Sequence, residues 1–248
     1  MKNATQFQQF LLVSNLVLIG LVTFVGLTAF KLKGKLQDFN EINVERINVI
    51  GTNGKPVLVI SNKRLMPGPT INEKSYPREI IDGRDYMSGM LFFNELGDEV
   101  GSILYAGIKK DSTGYSAVGH LSFDQWHQNQ VLALDYNDKS GNRYAGMRIW
   151  DRPTTAGYDV MLDLMASMKT HQNNPVKLDS LKNLWKAASQ RGENGVERLF
   201  IGSKNEVAQI QFKDKKGNVR GRMYVNDEGE AKLEFLNMAG EKIASFPN

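Results

Sequence analysis

The sequence predicts a mainly β protein: an antiparallel meander of hairpins, in a sandwich or an open barrel, with one N-terminal transmembrane helix and one soluble amphipathic helix. Three observations support this fold class. Apolar and polar residues alternate along most of the chain beyond residue 44, which is the period of a strand with one wet face. A short turn motif recurs between the alternating runs. One long uncharged run lies near the N-terminus.

The uncharged run follows a tail of residues 1–9, starts at Phe10 and ends at Phe30. A helix of residues 10–30, at about 1.5 Å per residue, is long enough to cross a bilayer core of about 30 Å. The alternative is a cleaved signal peptide, but the apolar run of a signal is usually only about 7–15 residues. We therefore expect a single-pass anchor that contacts the lipid bilayer through Phe10 to Phe30.

The juxtamembrane segment, residues 31–43, bears on orientation and on assembly. Its lysines, which favour a cytoplasmic domain by the positive-inside rule, are Lys31, Lys33 and Lys35. An N-terminal anchor followed by one large domain is, however, the usual design for export, and we predict an extracytoplasmic domain. Three apolar residues continue beyond the span at helical spacing: Leu32, Leu36 and Phe39. They indicate a short stalk through which copies could associate, and the alternative is a frayed extension of the helix.

The β-rich domain, residues 44–248, begins with a predicted hairpin. Asn53-Gly54 lies between two apolar runs, which is a strong hairpin signal. The outgoing run, residues 57–60, is apolar on both faces, so we expect the N-terminal strands to be central in the sheet. Residues 62–88 are rich in Pro, Gly and charge, and they predict a long surface loop.

The recurring turn motif is aromatic-x-Asp/Asn-x-x-Gly. The Asp or Asn side chain opens the turn, and the Gly supplies the positive φ that closes it. The motif occurs five times, beginning at Phe92, Tyr136, Phe212, Tyr224 and Phe235. The last three copies define a predicted C-terminal meander, residues 196–248.

One stretch of the soluble chain has helical rather than strand periodicity. Apolar residues fall on one face of residues 178–191, and Gly192 follows as a stop signal. We predict this connector as the soluble helix, and residues 150–170 as a transition without a definite element.

Composition excludes several kinds of chemistry. The chain of 248 residues has no cysteine, which excludes disulfides, thiolate metal sites and cysteine nucleophiles. Its net charge is +4 with Lys and Arg scattered among the acids, so we expect no nucleic-acid partner. Three histidines leave little material for a transition-metal site, and we predict neither a metal nor a cofactor.

The stretch from Gly119 to His127 holds the candidate site residues. Catalytic candidates are His120 and Asp124; ligand-binding candidates are Ser122, Trp126 and His127. On a strand, one face carries four of these residues: His120, Ser122, Asp124 and Trp126. Same-face neighbours lie about 7 Å apart, which is too far for direct hydrogen bonds. The alternative is therefore a row of polar residues on a wet face. The acidic pair Asp98-Glu99 lies at a turn tip and is expected to be solvated.

Three phrases of the sequence carry a resemblance. They are Val44-Glu-Arg-Ile-Asn-Val49 with Val59-Ile-Ser-Asn62, Gly89-Met-Leu-Phe-Phe-Asn94, and Gly119-His-Leu-Ser-Phe-Asp-Gln125. In this order after a single span, they resemble a family of bacterial membrane-anchored β proteins to which no activity is assigned. The resemblance implies membrane attachment and β architecture, and it implies no catalytic residue.

These observations favour a membrane-tethered, non-enzymatic interaction or scaffold module of the bacterial cell envelope. The alternative is an envelope hydrolase or carbohydrate-binding enzyme that uses His120, Asp124 and Trp126 beside the loop of residues 62–88. We also predict a homo-oligomer, because the last strand, Lys242–Phe246, has one charge and would leave an open sheet edge. A protein or glycan partner is left open.

Overall fold

The computed structural model describes residues 2–32, 37–81, 83–109, 114–154 and 157–247. The chain forms two compact units, Met1–Asn43 and Val44–Asn248. In the first, helix α1 (Lys2–Leu32) includes both the predicted span and the tail before it. Its segment Gln6–Leu27 is long and apolar enough to cross a bilayer, and a signal sequence near the N-terminus would satisfy the same criteria. Lys33, Lys35 and Leu36 lie outside the described residues.

The second unit is built on one open antiparallel sheet whose strand order follows the chain. The predicted class, a mainly β protein with an antiparallel meander, is confirmed. The twelve strands, in spatial order, are β1 (Arg46–Ile50), β2 (Pro56–Ser61), β5 (Ser88–Phe93), β6 (Glu99–Lys109), β7 (Tyr115–Asp124), β8 (Gln130–Lys139), β9 (Asn142–Asp151), β10 (Val196–Lys204), β11 (Val207–Lys213), β12 (Val219–Val225), β13 (Ala231–Leu236) and β14 (Lys242–Phe246).

Four copies of the turn motif form the same turn. At Asn94, Asp214, Asn226 and Asn237 the Gly three residues later donates its N–H to the Asx carbonyl, and that Gly has a φ of 83–84°. The Asx side chain accepts backbone N–H bonds inside the turn, as at Asp214, whose Oδ1 binds the N–H groups of Lys216 and Asn218. The fifth copy differs, because Asp138 stays in strand β8 and the hairpin reverses at Ser140-Gly141.

Two insertions form a second layer over part of the sheet. The first, between β2 and β5, contains the small hairpin β3 (Thr70–Ile71) and β4 (Lys74–Ser75) and two 3₁₀ turns (Arg78–Ile80 and Arg84–Tyr86). The second, between β9 and β10, contains α2 (Asp159–Thr170) and α3 (Pro175–Gln190). We call the two insertions together the inserted layer.

The sequence prediction of one soluble helix is incomplete. The stretch expected to be transitional contains α2, whose apolar residues Met161 and Leu162 are buried. Helix α3 begins three residues before the predicted start, because Asn174 caps it through the Lys177 N–H and Pro175 occupies its first turn. The predicted start at residue 178 was the first residue of the apolar period, and it did not take this cap into account.

The predicted central position of the N-terminal strands is wrong. Strand β1 is an edge strand, and β2 is its only partner among the described strands. Strand β2 is apolar on both faces because the inserted layer covers one of them. Val59, Met66, Leu91 and Leu104 form the buried core between sheet and layer. A second core inside the layer joins Ile71 and Ile80 of the first insertion to Leu162 of the second.

Candidate functional site

One face of the large sheet is apolar across all twelve strands. Cross-strand pairing aligns one apolar residue from every strand into a continuous row: Ile47, Ile60, Met90, Ile103, Leu121, Leu134, Met147, Ile201, Ile210, Met223, Leu233 and Phe246. None of these side chains is buried. Leu134 at the centre of the row is 49% exposed.

A second row runs beside the first, two residues away along each strand. It contains Val49, Leu58, Phe92, Gly101, Phe123, Leu132, Ile149, Leu199, Phe212, Gly221, Phe235 and Ala244. Neither row contains a charged or polar side chain. We call these two rows together the apolar face. Apolar patches of this extent are rare on monomeric soluble proteins and mark interaction sites.

The opposite face of the sheet has a covered half and a charged half. Over the N-terminal strands the inserted layer buries it. Over the C-terminal strands this face carries ion pairs between neighbouring strands. Arg222 donates to Glu234 at 2.7 Å, and Lys213 contacts Glu197 at 2.6 Å. Charged side chains make this half stable in water without a cover.

A cavity of about 210 Å³ lies between the covered half of the sheet and the inserted layer. The sheet provides a polar floor that includes Glu99 and Asp124, and the layer provides an apolar wall that includes Ile71, Leu162 and Met165. Glu99 and Asp124 each follow a register shift at the same end of β6 and β7. Such bulges re-aim side chains and are common beside functional sites.

Three polar groups in this cavity each have one buried atom without a partner. Arg84, 3% exposed, donates through Nη2 to Glu99 Oε1 at 2.5 Å. Within the described part of the chain, Arg84 Nη1, Glu99 Oε2 and Asp124 Oδ1 have no hydrogen-bond partner. Buried polar atoms are nearly always satisfied in proteins, so each of these atoms calls for a bound molecule or ordered water.

The protonation of Asp124 is set by its surroundings. Burial raises the pKa of the Asp124 carboxyl to about 8, and the negative charge of Glu99 adds to this effect. The charges of Arg152 and Arg84 oppose the rise without cancelling it. Asp124 is therefore largely protonated at neutral pH and presents an O–H donor rather than a charge.

His120 is held by a carboxylate on the neighbouring strand. Its Nδ1 lies 2.6 Å from Asp135 Oδ1, and Arg148 donates to Asp135 Oδ2 at 2.9 Å. Burial opposes ionisation of Asp135, but the His120 hydrogen bond and the Arg148 charge lower its pKa below the usual value. Arg148 also stacks over Trp150, with its guanidinium carbon 4.9 Å from the ring centre.

The predicted site residues are only partly brought together. His120 and Asp124 line the cavity together with loop residues such as Arg84. His120 and Asp124 are four residues apart on strand β7, which separates their backbones by about 13 Å. Ser122 is buried and bonds to Ser102 at 3.2 Å. Trp126 is exposed in the turn beyond β7, and His127, also in that turn, lies 3.5 Å from Asp98.

The sequence did not identify two residues of the cavity, Glu99 and Arg84, or the burial of Asp98 beside it. Asp98 and Glu99 were expected to be solvated, but Asp98 is buried and Glu99 pairs with Arg84. The inserted layer covers the turn that carries them, and a turn motif has no signal for what lies above it. Arg84 lies in the predicted loop among several other charges, and nothing in its spacing distinguishes it.

Comparison with known proteins does not assign the chain. No protein-family model matches it, and no curated protein is significantly similar to it. The resemblance of residues 44–125 and of the C-terminal meander to a family of membrane-anchored β proteins therefore has no support from a family model. Two features of the molecule remain as indications of function, the apolar face and the cavity under the inserted layer.

Proposed function

We propose that the protein is a membrane-tethered, non-enzymatic scaffold module of the bacterial cell envelope that assembles by stacking the apolar faces of two copies. The observation that carries the proposal is the row of apolar side chains that crosses every strand of the sheet. Leaving such a face in water is unfavourable by about 25 cal/mol for each Å² of apolar surface. A second sheet stacked about 10 Å away removes that surface from water.

The area of the apolar face fits a stable dimer. Twelve strands at about 4.8 Å spacing extend about 55 Å, and two rows of side chains are about 14 Å wide. Each copy therefore offers about 750 Å², and a pair buries about 1,500 Å², the size of a standard specific interface. Two twisted sheets stack with their strands about 30° apart, which accommodates this geometry.

The chemistry of the face favours a second copy over other occupants. A two-fold interface needs a surface that is complementary to itself, and an uncharged apolar row meets that need without charge repulsion. A lipid surface is usually bound by apolar residues together with Trp, and neither row contains Trp. Tethering to one membrane also raises the effective concentration of copies for each other.

The test uses the full-length protein in native membranes, with Met147→Cys as a cross-linking reporter in a chain that has no other cysteine. We expect dimer cross-links that Leu134→Lys removes, because an unpaired charge buried in the interface costs about 3 kcal/mol or more, or at least about 100-fold in affinity. The control is Leu184→Lys on α3, where the replaced leucine is 54% exposed and lies off the face. Cross-links that persist in Leu134→Lys would refute stacking through this face.

A second candidate function uses the cavity. An envelope hydrolase or carbohydrate-binding enzyme is favoured by one observation: His120 and Asp124 line the same cavity as residues of the 62–88 loop. Under this proposal, His120→Ala and Asp124→Ala each abolish a hydrolytic activity while the circular dichroism spectrum is retained. The scaffold proposal expects no hydrolytic activity on envelope glycans in the wild type.

A further inference from the structure

The cavity under the inserted layer has a charge arrangement that matches a particular kind of small molecule. The Arg84–Glu99 ion pair uses one atom of each group, Nη2 and Oε1. The remaining Nη1 is a positively charged donor, and the remaining Oε2 is a negatively charged acceptor. Because the two groups are bonded side by side, their free atoms can bind adjacent acceptor and donor groups of one ligand.

The rest of the cavity adds an apolar wall and a third polar group. Ile71, Leu162 and Met165 of the inserted layer border it on the side away from the sheet. Asp124 Oδ1 is the third unpaired buried atom. Since burial raises the pKa of Asp124 to about 8, this carboxyl donates a hydrogen bond at neutral pH and adds no negative charge.

We propose that this cavity binds a free α-amino acid with an apolar side chain. The ligand carboxylate accepts from Arg84 Nη1 and from Asp124, and its ammonium group donates to Glu99 Oε2. The apolar side chain contacts the wall formed by Ile71, Leu162 and Met165. The volume of about 210 Å³ is below the usual range for drug-sized ligands and suits a molecule of this size.

Two other occupants agree less well with the lining. A neutral sugar offers hydroxyl groups to the three unpaired atoms, but it leaves the apolar wall without a partner and the ion pair without charge-matched groups. Ordered water can hydrogen-bond to the unpaired atoms, but it makes no favourable contact with the apolar wall. The paired charges and the apolar wall together select the amino acid.

Binding is tested by titration calorimetry on the full-length protein in detergent, with L-leucine as the probe. Isocaproate lacks the ammonium group, leucinol lacks the carboxylate, and glucose is the neutral polyhydroxylated comparison. We expect L-leucine to bind at least 10-fold more tightly than isocaproate or leucinol. Isocaproate equal to L-leucine, glucose binding without L-leucine binding, or no binding by any probe would each overturn the proposal.

Variants locate the site independently of overall folding. Glu99→Gln removes the ammonium partner, and Met165→Trp fills the cavity without changing its charges; each is expected to weaken L-leucine binding at least 10-fold. The matched control is Glu197→Gln, which removes a carboxylate from an ion pair on the uncovered half of the same face. Retained binding in both cavity variants would overturn the assignment. Leu134→Lys should bind L-leucine normally, which separates this test from that of self-assembly.

Discussion

The two faces of the sheet have similar strand patterns but different covers. Leu91 on β5 belongs to the covered face and is 0% exposed, whereas Leu134 on β8 belongs to the apolar face and is 49% exposed. Both are leucines within regular antiparallel strands. The chain supplies its own cover for one face by inserting two segments between strands, and it supplies none for the other within the described residues. This difference between the two faces is the basis on which we propose that two copies cover the apolar face together.

The largest expected effect compares these two leucines. Leu91→Ala should lower the free energy of unfolding by about 2–5 kcal/mol, because it leaves a cavity in a closed core. Leu134→Ala should change it by less than about 1 kcal/mol in detergent-dispersed monomer, since that side chain is half in water. Denaturant unfolding followed by tryptophan fluorescence measures both. Equal losses would mean that the apolar face is already covered within one chain.

The second effect compares two glycines at equivalent positions of the hairpin units. A Cβ added to Gly101, which has a φ of 155°, would lie 2.4 Å from the Ser122 carbonyl oxygen, whereas one added to Gly221 would meet nothing closer than 3.6 Å. Gly101→Ala should destabilise the fold by about 2–3 kcal/mol. Gly221→Ala should be neutral or slightly stabilising. Thermal unfolding of the two variants tests this, and similar melting temperatures would contradict the tight approach of β6 and β7.

The third effect concerns the covered face alone and depends on pH. The pKa of Asp124 is about 8 in the folded protein and near 4 when unfolded, so the folded state holds the extra proton between these values. The stability that this group contributes is full below about pH 4 and is lost progressively as the pH rises toward 8, because the folded state then loses the proton that it holds more tightly.

Asp124→Asn should remove the pH dependence of stability that comes from this carboxyl. Unfolding free energies of the variant and the wild type, measured between pH 4 and 9, should therefore diverge as the pH rises, in favour of the variant. Asp163→Asn is the control, because hydrogen bonding from Tyr76 lowers the pKa of that exposed carboxyl rather than raising it. Parallel curves for Asp124→Asn and wild type would show that Asp124 is ionised in the folded state.

The smallest effect is expected at an exposed turn of the uncovered half. Asn237 Oδ1 accepts the N–H groups of Ala239 and Glu241 at 2.9 and 3.0 Å. Asn237→Ala should cost about 1 kcal/mol, because both donors then depend on water. Asn237→Asp should retain most of the stability, as Asp214 makes the same turn. A loss near that of Leu91→Ala would indicate that this turn is covered by another chain.

Local sequence patterns determined much of this protein. The alternation of apolar and polar residues specified the C-terminal strands. The aromatic-x-Asp/Asn-x-x-Gly motif specified three of their turns and the turn between β5 and β6. Both patterns depend on residues only a few positions apart. The last strand was predicted at its observed bounds, Lys242–Phe246. The long uncharged run likewise predicted α1, since its length and composition are local properties.

Tertiary structure decided what depends on distant residues. Strands β5 and β8 both carry apolar residues, and their sequences do not show which side chains will be covered. Only the position of the inserted layer determined that Leu91 is buried and Leu134 is not. The inserted layer also placed Arg84 beside Glu99, which is 15 residues away in the sequence, and burial raised the pKa of Asp124. The apolar row arose from the register of eleven successive strand pairs. Burial, charge pairing and register are long-range properties, which is why the candidate site could only be read from the folded chain.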